Sequence, residues 1–312
     1  MKKRAIIFLL VTLVVVSFIL PALAAAPSEN EGENEEAAEP DYEEAEQEAE
    51  PASFIILDGV PQFVDYEVRD GTAYVTVCSF VAMLDPQAVV EEEGGVAAVS
   101  SARVEEIVDA EGNTANVVQE LLSMTVSTHV PYIVANGRYL YAKDSIIMLN
   151  DRVAAPVRIL AKVFNLDVSY DAEAHAALLV RGQTGSAYIQ PGDSYYIGDT
   201  LYWLSRIINA ESGNQPMDGK IAVGNVVMNR VNNPQFPATI YDVLYQQNQF
   251  SPASTGSIKN TPNDDSVVAA KLVMDGAQIV PDALFFARAG VACYASRTRA
   301  YVATIGDHAF YA

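Results

Sequence analysis

Histidine, cysteine and tryptophan are scarce in this 312-residue chain, which holds three, two and one of them. Two cysteines, Cys78 and Cys293, cannot make a disulfide framework, and they fall in different candidate domains. Buried free thiols are expected, with one bridge between the domains as the alternative. His129 and His175 have no cysteine or histidine at ligand spacing and read as surface or loop residues. Around His308 there is no His/Asp/Glu/Cys cluster with zinc spacing, which argues against a metallopeptidase or zinc amidase. No metal and no cofactor is expected. Bases are also few, 19 against 40 acids, and nowhere form a stripe, so nucleic acid is not expected as a partner.

The acids are unevenly spread. Ser28 to Glu50 holds eleven glutamates, one aspartate and no base. With one aromatic residue and nothing to bury, residues 27–51 are expected to form a disordered, self-repelling linker. Two dozen residues reach about 80 Å at full extension. Residues 51–182 carry 18 acids and 8 bases, whereas 183–312 carry 10 and 8. Ahead of the linker, Met1-Lys2-Lys3-Arg4, an apolar run from Ala5 to Leu20 and Pro21-Ala22-Leu23-Ala24 have the parts of a secretory signal peptide, residues 1–26. Cleavage is expected after Ala24 or Ala26. The alternative is an uncleaved anchor that tethers the protein to a membrane. Both place the rest outside the cytoplasm, secreted or associated with a cell wall.

Residues 52–182 contain a repeat with an offset of 80. Val77, Phe80, Val81 and Leu84 make an i, i+3, i+4, i+7 stripe, and Val157, Leu160, Ala161 and Phe164 repeat it. A β-like run precedes each helix, Ala73–Thr76 and Val153–Pro156, and a strand pair with acids between follows each. Upstream, Asp58-Gly59 and Asn136-Gly137 are tight-hairpin signals. Each copy therefore reads as a hairpin, a strand, a helix and a two-strand ending. The second copy, from Asn150 to Arg158, resembles the copper amine oxidase N-terminal-like stalk domains of surface proteins, and the first is more degenerate. That resemblance implies display or attachment, not a copper site. Residues 183–199, with Gly185, Pro191, Gly192 and Gly198, then form a connection.

The most informative stretch is Leu201–Arg230. Leu201, Leu204 and Ile208 recur on one helical face, and Glu211 follows at the helix end, with Gly213 as a stop signal. A carboxylate there meets the negative end of the helix dipole and an apolar wall, and both raise its pKa, as a general acid for glycosidic bonds requires. Farther on, Thr239 caps a short helix, and Thr261-Pro262-Asn263-Asp264 opens another, with Thr261 as N-cap and Pro262 in first helical position. Leu284–Ala287 and Ala309–Tyr311 look like strands. The expected fold is α+β: a lysozyme-like helical catalytic domain with a small β-sheet, residues 200–312, behind a repeated β-rich α+β stalk module.

This region resembles the SleB-type cell wall hydrolases, the spore-cortex-lytic enzyme family. The residues that carry the likeness are Ala210-Glu211-Ser212, Gln215-Pro216, Gly219 to Gly224, Asn229-Arg230-Val231, Phe236-Pro237, Gln249-Phe250-Ser251-Pro252 and Ile305 to Tyr311. After Phe285-Phe286 the family shows Asn-Pro and a tryptophan-bearing loop, whereas here Ala287-Arg288 follows and residues 289–304 hold no tryptophan. The resemblance implies peptidoglycan glycan strands as substrate, in wall turnover or spore-cortex lysis. It also implies a lytic transglycosylase in which one glutamate, Glu211, suffices. An ordinary glycosidase needs a second carboxylate, for which Asp218 is nearest. Asn229 and Arg230 are candidates for holding substrate amides, or an end-of-helix cap. Gln249 and Phe250 are candidates for the glycan groove, with core packing open for Phe250. His308 contacts substrate, relays a proton or is structural, and Trp203 is core or groove wall. The competing function is a non-catalytic glycan-binding surface protein.

Overall fold

Short β runs separated by left-handed turns organise the first half of the chain. The computed structural model describes residues 55–312 apart from 109–113, 144–145 and 183–184. The first half begins β1 (Ile55–Leu57), β2 (Val60–Gln62), β3 (Tyr66–Arg69), β4 (Thr72–Thr76), α1 (Val77–Leu84), β5 (Val89–Glu93), β6 (Val96–Val108). After β7 (Thr114–Ser127) come β8 (Tyr132–Ala135), β9 (Arg138–Tyr141), β10 (Ile147–Leu149), β11 (Arg152–Pro156), α2 (Val157–Val163), β12 (Leu166–Asp171) and β13 (Ala176–Arg181). The signal peptide and acidic linker expected within residues 1–51 lie outside the described residues.

Asp58 and Asn136, with φ of 49° and 48°, each open a two-residue hairpin loop, a conformation that short polar side chains tolerate. On α1, Val77, Phe80 and Val81 are buried, and on α2 Val157, Leu160 and Ala161. Phe80 and Phe164 meet edge to face at 5.8 Å. The strands form three sheets, in the orders β12-β13-β1-β2, β10-β11-β4-β3 and β5-β6-β7-β8-β9. In the second sheet β4 and β11 run antiparallel, with Val75 opposite Ala155, its counterpart eighty residues on. β1 runs parallel to β13, so the earliest and latest strands of this half share one sheet and one core.

Residues 183–199 were expected as a plain connection; Ile189 and Gly192 are instead buried, and Tyr188, Tyr195 and Tyr196 half-buried. Ile189 is buried and its N–H donates to Val163 O at 2.8 Å, while Gly192 N–H donates to Asn136 O at 2.7 Å. The cause is the apolar surface of Tyr188, Ile189, Tyr195 and Tyr196, which a free linker leaves in water. α3 (Gly192–Tyr195) belongs to this segment. The second half continues with α4 (Asp199–Ser212), α5 (Met217–Val231), α6 (Ile240–Tyr245), α7 (Ser251–Thr255) and α8 (Asp264–Met274). Then come β14 (Phe285–Arg288), α9 (Tyr294–Thr298), β15 (Tyr301–Ile305) and β16 (His308–Tyr311), the strands in the order β14-β16-β15. The architecture is mixed α+β, with the β-rich sheets first and the helices after.

Helix α4 buries Leu204, Ile207 and Ile208 completely, each contributing about 1.5–3 kcal/mol relative to exposure. A Cβ on Gly224 of α5 would lie 2.9 Å from Val273 Cγ2 and 3.0 Å from Ile208 Cδ1, so the missing side chain lets α4, α5 and α8 meet. The start of α8 differs from the sequence expectation. Its N-cap is Asn263, not Thr261, and the Asn263 side chain accepts from Ser266 N–H at 2.8 Å. Asparagine is as good an acceptor as threonine there, and its amide also bonds outside the helix.

Both halves lie within one compact unit. Arg138 of β9 donates through Nε and Nη2 to the carboxylate of Asp275, just past α8, and both side chains are buried. Tyr196 Oη donates to the same carboxylate, Lys162 Nζ to Asp275 O at 2.7 Å and Tyr195 Oη to Met274 O at 3.1 Å. The Arg138 guanidinium lies 3.2 Å from the Tyr195 ring centroid.

Candidate active site

Glu211 stands in the last turn of α4. Gly213, the expected stop signal, is the C-cap of α4, with right-handed geometry at φ −56°, and its N–H donates to Asn209 O at 3.0 Å. The turn is held from outside instead. Asn209 Oδ1 accepts from Asn263 N–H at 3.0 Å, and Asn263 Nδ2 donates to Gly213 O at 3.2 Å. Gln215 forms a second clamp: its Nε2 donates to Asp307 Oδ2 at 3.0 Å, and Asp307 N–H donates to its Oε1 at 2.9 Å. The glutamate is thus fixed between the start of α8 and the β15–β16 turn.

It faces an open cleft of about 710 Å³, which Arg230, Gln246, Gln249, Phe250, Arg288 and His308 also line. Glu211 is half-buried, and desolvation raises its carboxyl pKa above the ordinary value. It is the one carboxylate among the lining residues. Asp218, the second carboxylate considered from sequence, is exposed and does not line the cleft. It accepts from Tyr141 Oη at 3.1 Å.

Three buried polar atoms of the lining residues have no partner among the described residues: Arg230 Nη1, Gln246 Oε1 and His308 Nδ1. Buried polar groups are nearly always paired, so each of these is open to a polar ligand. Arg230 Nε donates to Leu284 O at 2.7 Å, and its guanidinium lies 5.1, 5.0 and 5.3 Å from the rings of Phe236, Phe250 and Phe285. That desolvation pushes its pKa down to about 10. His308 packs edge-on to Phe286 at 5.3 Å, and burial lowers its pKa, favouring the neutral ring.

The structure brings Glu211, Arg230, Gln249, Phe250 and His308 together but not Asn229. Asn229 Nδ2 donates to Val280 O at 3.0 Å and Ala283 O at 2.9 Å, bracing the loop after α8. Phe250 is both packed, at 4 % exposure, and part of the cleft wall. Trp203 meets the rings of Tyr241 and Tyr245 at 5.4 and 5.8 Å, and Tyr245 lines the cleft, so an aromatic patch continues from it. Gln246 and Arg288 were not anticipated. Gln246 hides in a polar run whose one backbone signal is Asn248 at φ 61°. Among the described residues no His/Cys/Asp/Glu group suits a metal, and Cys78 and Cys293 are free thiols.

One half-buried acid beside an open cleft of amides and aromatic rings is suited to gripping a polar polymer and protonating a bond in it. Residues 214–311 match the Cell Wall Hydrolase family, and this part of the chain is a cell wall hydrolase domain of the SleB type. The matched range starts three residues beyond Glu211, and the β-rich half lies outside it. A spore cortex-lytic enzyme of Oceanobacillus iheyensis is 27% identical over 130 residues, 41% of this chain and 46% of that protein. One from Bacillus cereus is 28% identical over 118 residues, 37% and 45% of the two. The chain spans under half the length of these curated relatives. Among solved structures, the catalytic domain of the germination-specific lytic transglycosylase SleB from Bacillus anthracis is 26% identical. The likeness covers 40% of this chain and 100% of that one, with a TM-score of 0.36.

Proposed function

We propose that this protein is a peptidoglycan lytic transglycosylase that cuts the β-1,4 bond between N-acetylmuramic acid and N-acetylglucosamine. Glu211 first gives its proton to the leaving glycosidic oxygen. It then takes the proton of the muramoyl C6 hydroxyl as that oxygen bonds to C1, closing a 1,6-anhydro ring. The substrate supplies the nucleophile at high effective concentration. The observation that carries this reading is the desolvated Glu211 as the one carboxylate of its cleft. Hydrolysis by two carboxylates needs a partner about 5–9.5 Å away, and Asp218 is engaged by Tyr141.

Arg230, Gln246 and His308 offer unpartnered atoms to the amides and hydroxyls of the glycan, and the Tyr245 and Phe250 rings offer faces to its sugars. The helical half acts as a lysozyme-like catalytic domain in the cell wall or spore cortex, and the duplicated β-rich half as its stalk. The test is clearance of wall and cortex suspensions by the protein and by Glu211→Gln. The variant is expected to fold and to lose about 10²–10⁴-fold in rate, the usual worth of a general acid. Near-full activity in that variant contradicts the reading, and so does activity abolished by a chelator.

A further inference from the structure

Residues 51–182 hold eight bases among 18 acids, and six of the eight are ion-paired. The exceptions are Lys143 and Arg158, which pair with no described carboxylate. In so acidic a module an unmatched cation is unusual, and both line the same groove of about 370 Å³. Val68 and Tyr170 also line it while 46% and 48% exposed, and Ile159 of α2 contributes a further apolar wall.

The strands at this groove matter as much as the charges. Val68 belongs to β3 and Tyr170 to β12, and each is the outermost strand of its sheet. Each therefore keeps one backbone edge without a strand partner among the described residues, the feature that extended peptides use when they add to a sheet. Tyr66, two residues from Val68 on the same face of β3, has a buried hydroxyl with no partner among the described residues. An occupant must then be extended, must bury small apolar groups and must carry negative charge. A free sugar face uses Tyr170 but leaves the strand edges and both cations unused.

We propose that this groove binds the stem peptides of peptidoglycan, which combine extended backbone, methyl side chains and free carboxylates. The peptide lies along the β3 and β12 edges, with its carboxylates on Lys143 and Arg158. This choice of peptide rests on the proposed function, because that reading brings the wall polymer to this protein. The groove anchors the peptide of the polymer while the cleft around Glu211 acts on its glycan.

The test uses the whole chain carrying Glu211→Gln, with soluble stem tetrapeptide as the titrant and intact or amidase-stripped wall sacculi in pelleting. Lys143→Glu/Arg158→Glu, with folding checked by circular dichroism, is expected to weaken tetrapeptide binding about tenfold, the order of two lost rim ion pairs plus repulsion. Binding should fall as salt rises and should be weaker on stripped sacculi. In the background with Glu211 intact, the double variant should cleave peptide-free glycan at the original rate. No cleavage of glycan by the unaltered protein, with tetrapeptide binding intact, would refute the catalytic reading alone. Tetrapeptide affinity unchanged by charge reversal overturns the groove proposal. So does binding that appears only after residues 28–50 are deleted, which assigns the groove to the chain's own acidic run.

Discussion

Replacing Asp275 should unfasten the β-rich half from the helical half. Its carboxylate receives Arg138 Nε and Nη2 and the Tyr196 hydroxyl, and its backbone carbonyl receives Lys162 Nζ. Arg138 is 5 % exposed, so Asp275→Leu leaves a buried guanidinium without its counter-charge and a phenol without its acceptor. Breaking a buried pair from one side costs about 3–5 kcal/mol. At about 2–4 °C per kcal/mol for a domain of this size, the melting temperature should fall by roughly 6–20 °C. Arg138→Met/Asp275→Leu removes both buried charges and should return to within about 1 kcal/mol of the original, less the orphaned Tyr196 hydroxyl and the lost counter-charge of half-exposed Lys162. Urea unfolding followed by far-UV circular dichroism and by Trp203 fluorescence separates the outcomes, because Trp203 reports on the helical half. Coincident transitions are expected in the unaltered protein. A cost for Asp275→Leu below about 1 kcal/mol, the range of an exposed pair, refutes the reasoning.

Glu211 has a folded-state pKa raised by burial, so its stabilising contribution is complete below the unfolded value and lost as pH rises through the folded one. Glu211→Gln should therefore raise the melting temperature near pH 7 and leave it unchanged near pH 3; an equal gain at both rejects this. The alkaline limb of kcat/KM should follow the same group, because only the protonated carboxyl donates, and a limb unaltered by substitutions around Glu211 would remove it from that role. Gln246→Leu deletes a buried, unpartnered acceptor, so thermal unfolding should show no loss of stability while glycan KM rises about tenfold. Gly224→Leu must push Val273 and Ile208 apart and should cost about 1–3 kcal/mol in urea unfolding, a neutral result contradicting the close helix crossing.

How far the sequence could be read follows from which interactions are local. The stripes of α1, α2 and α4, the Asp58 and Asn136 turns and the Thr239 cap depend on neighbouring residues, and all were legible. The site was legible where chemistry is concentrated, as with Glu211 at a helix end. Long-range partners were not. Nothing near Asn229 announces that its amide serves two carbonyls more than fifty residues away, and nothing near Asp218 announces Tyr141. The outer part of the β6–β7 hairpin also escaped, because Arg103, Glu105 and Glu106 among its valines break the apolar alternation. No core requires that alternation there, since both strands are exposed beyond Ser101 for most of their length. β15 escaped for a related reason: its residues are exposed or half-buried, with none fully covered.

The central claim is that one glutamate both protonates the leaving oxygen and deprotonates the substrate's own hydroxyl. Mass spectrometry of the soluble products from purified peptidoglycan and spore cortex tests it directly. The account predicts 1,6-anhydro-muramoyl ends, made by the unaltered protein and absent with Glu211→Gln. Reducing muramic ends would contradict it, because they require a water nucleophile and a second group to activate it.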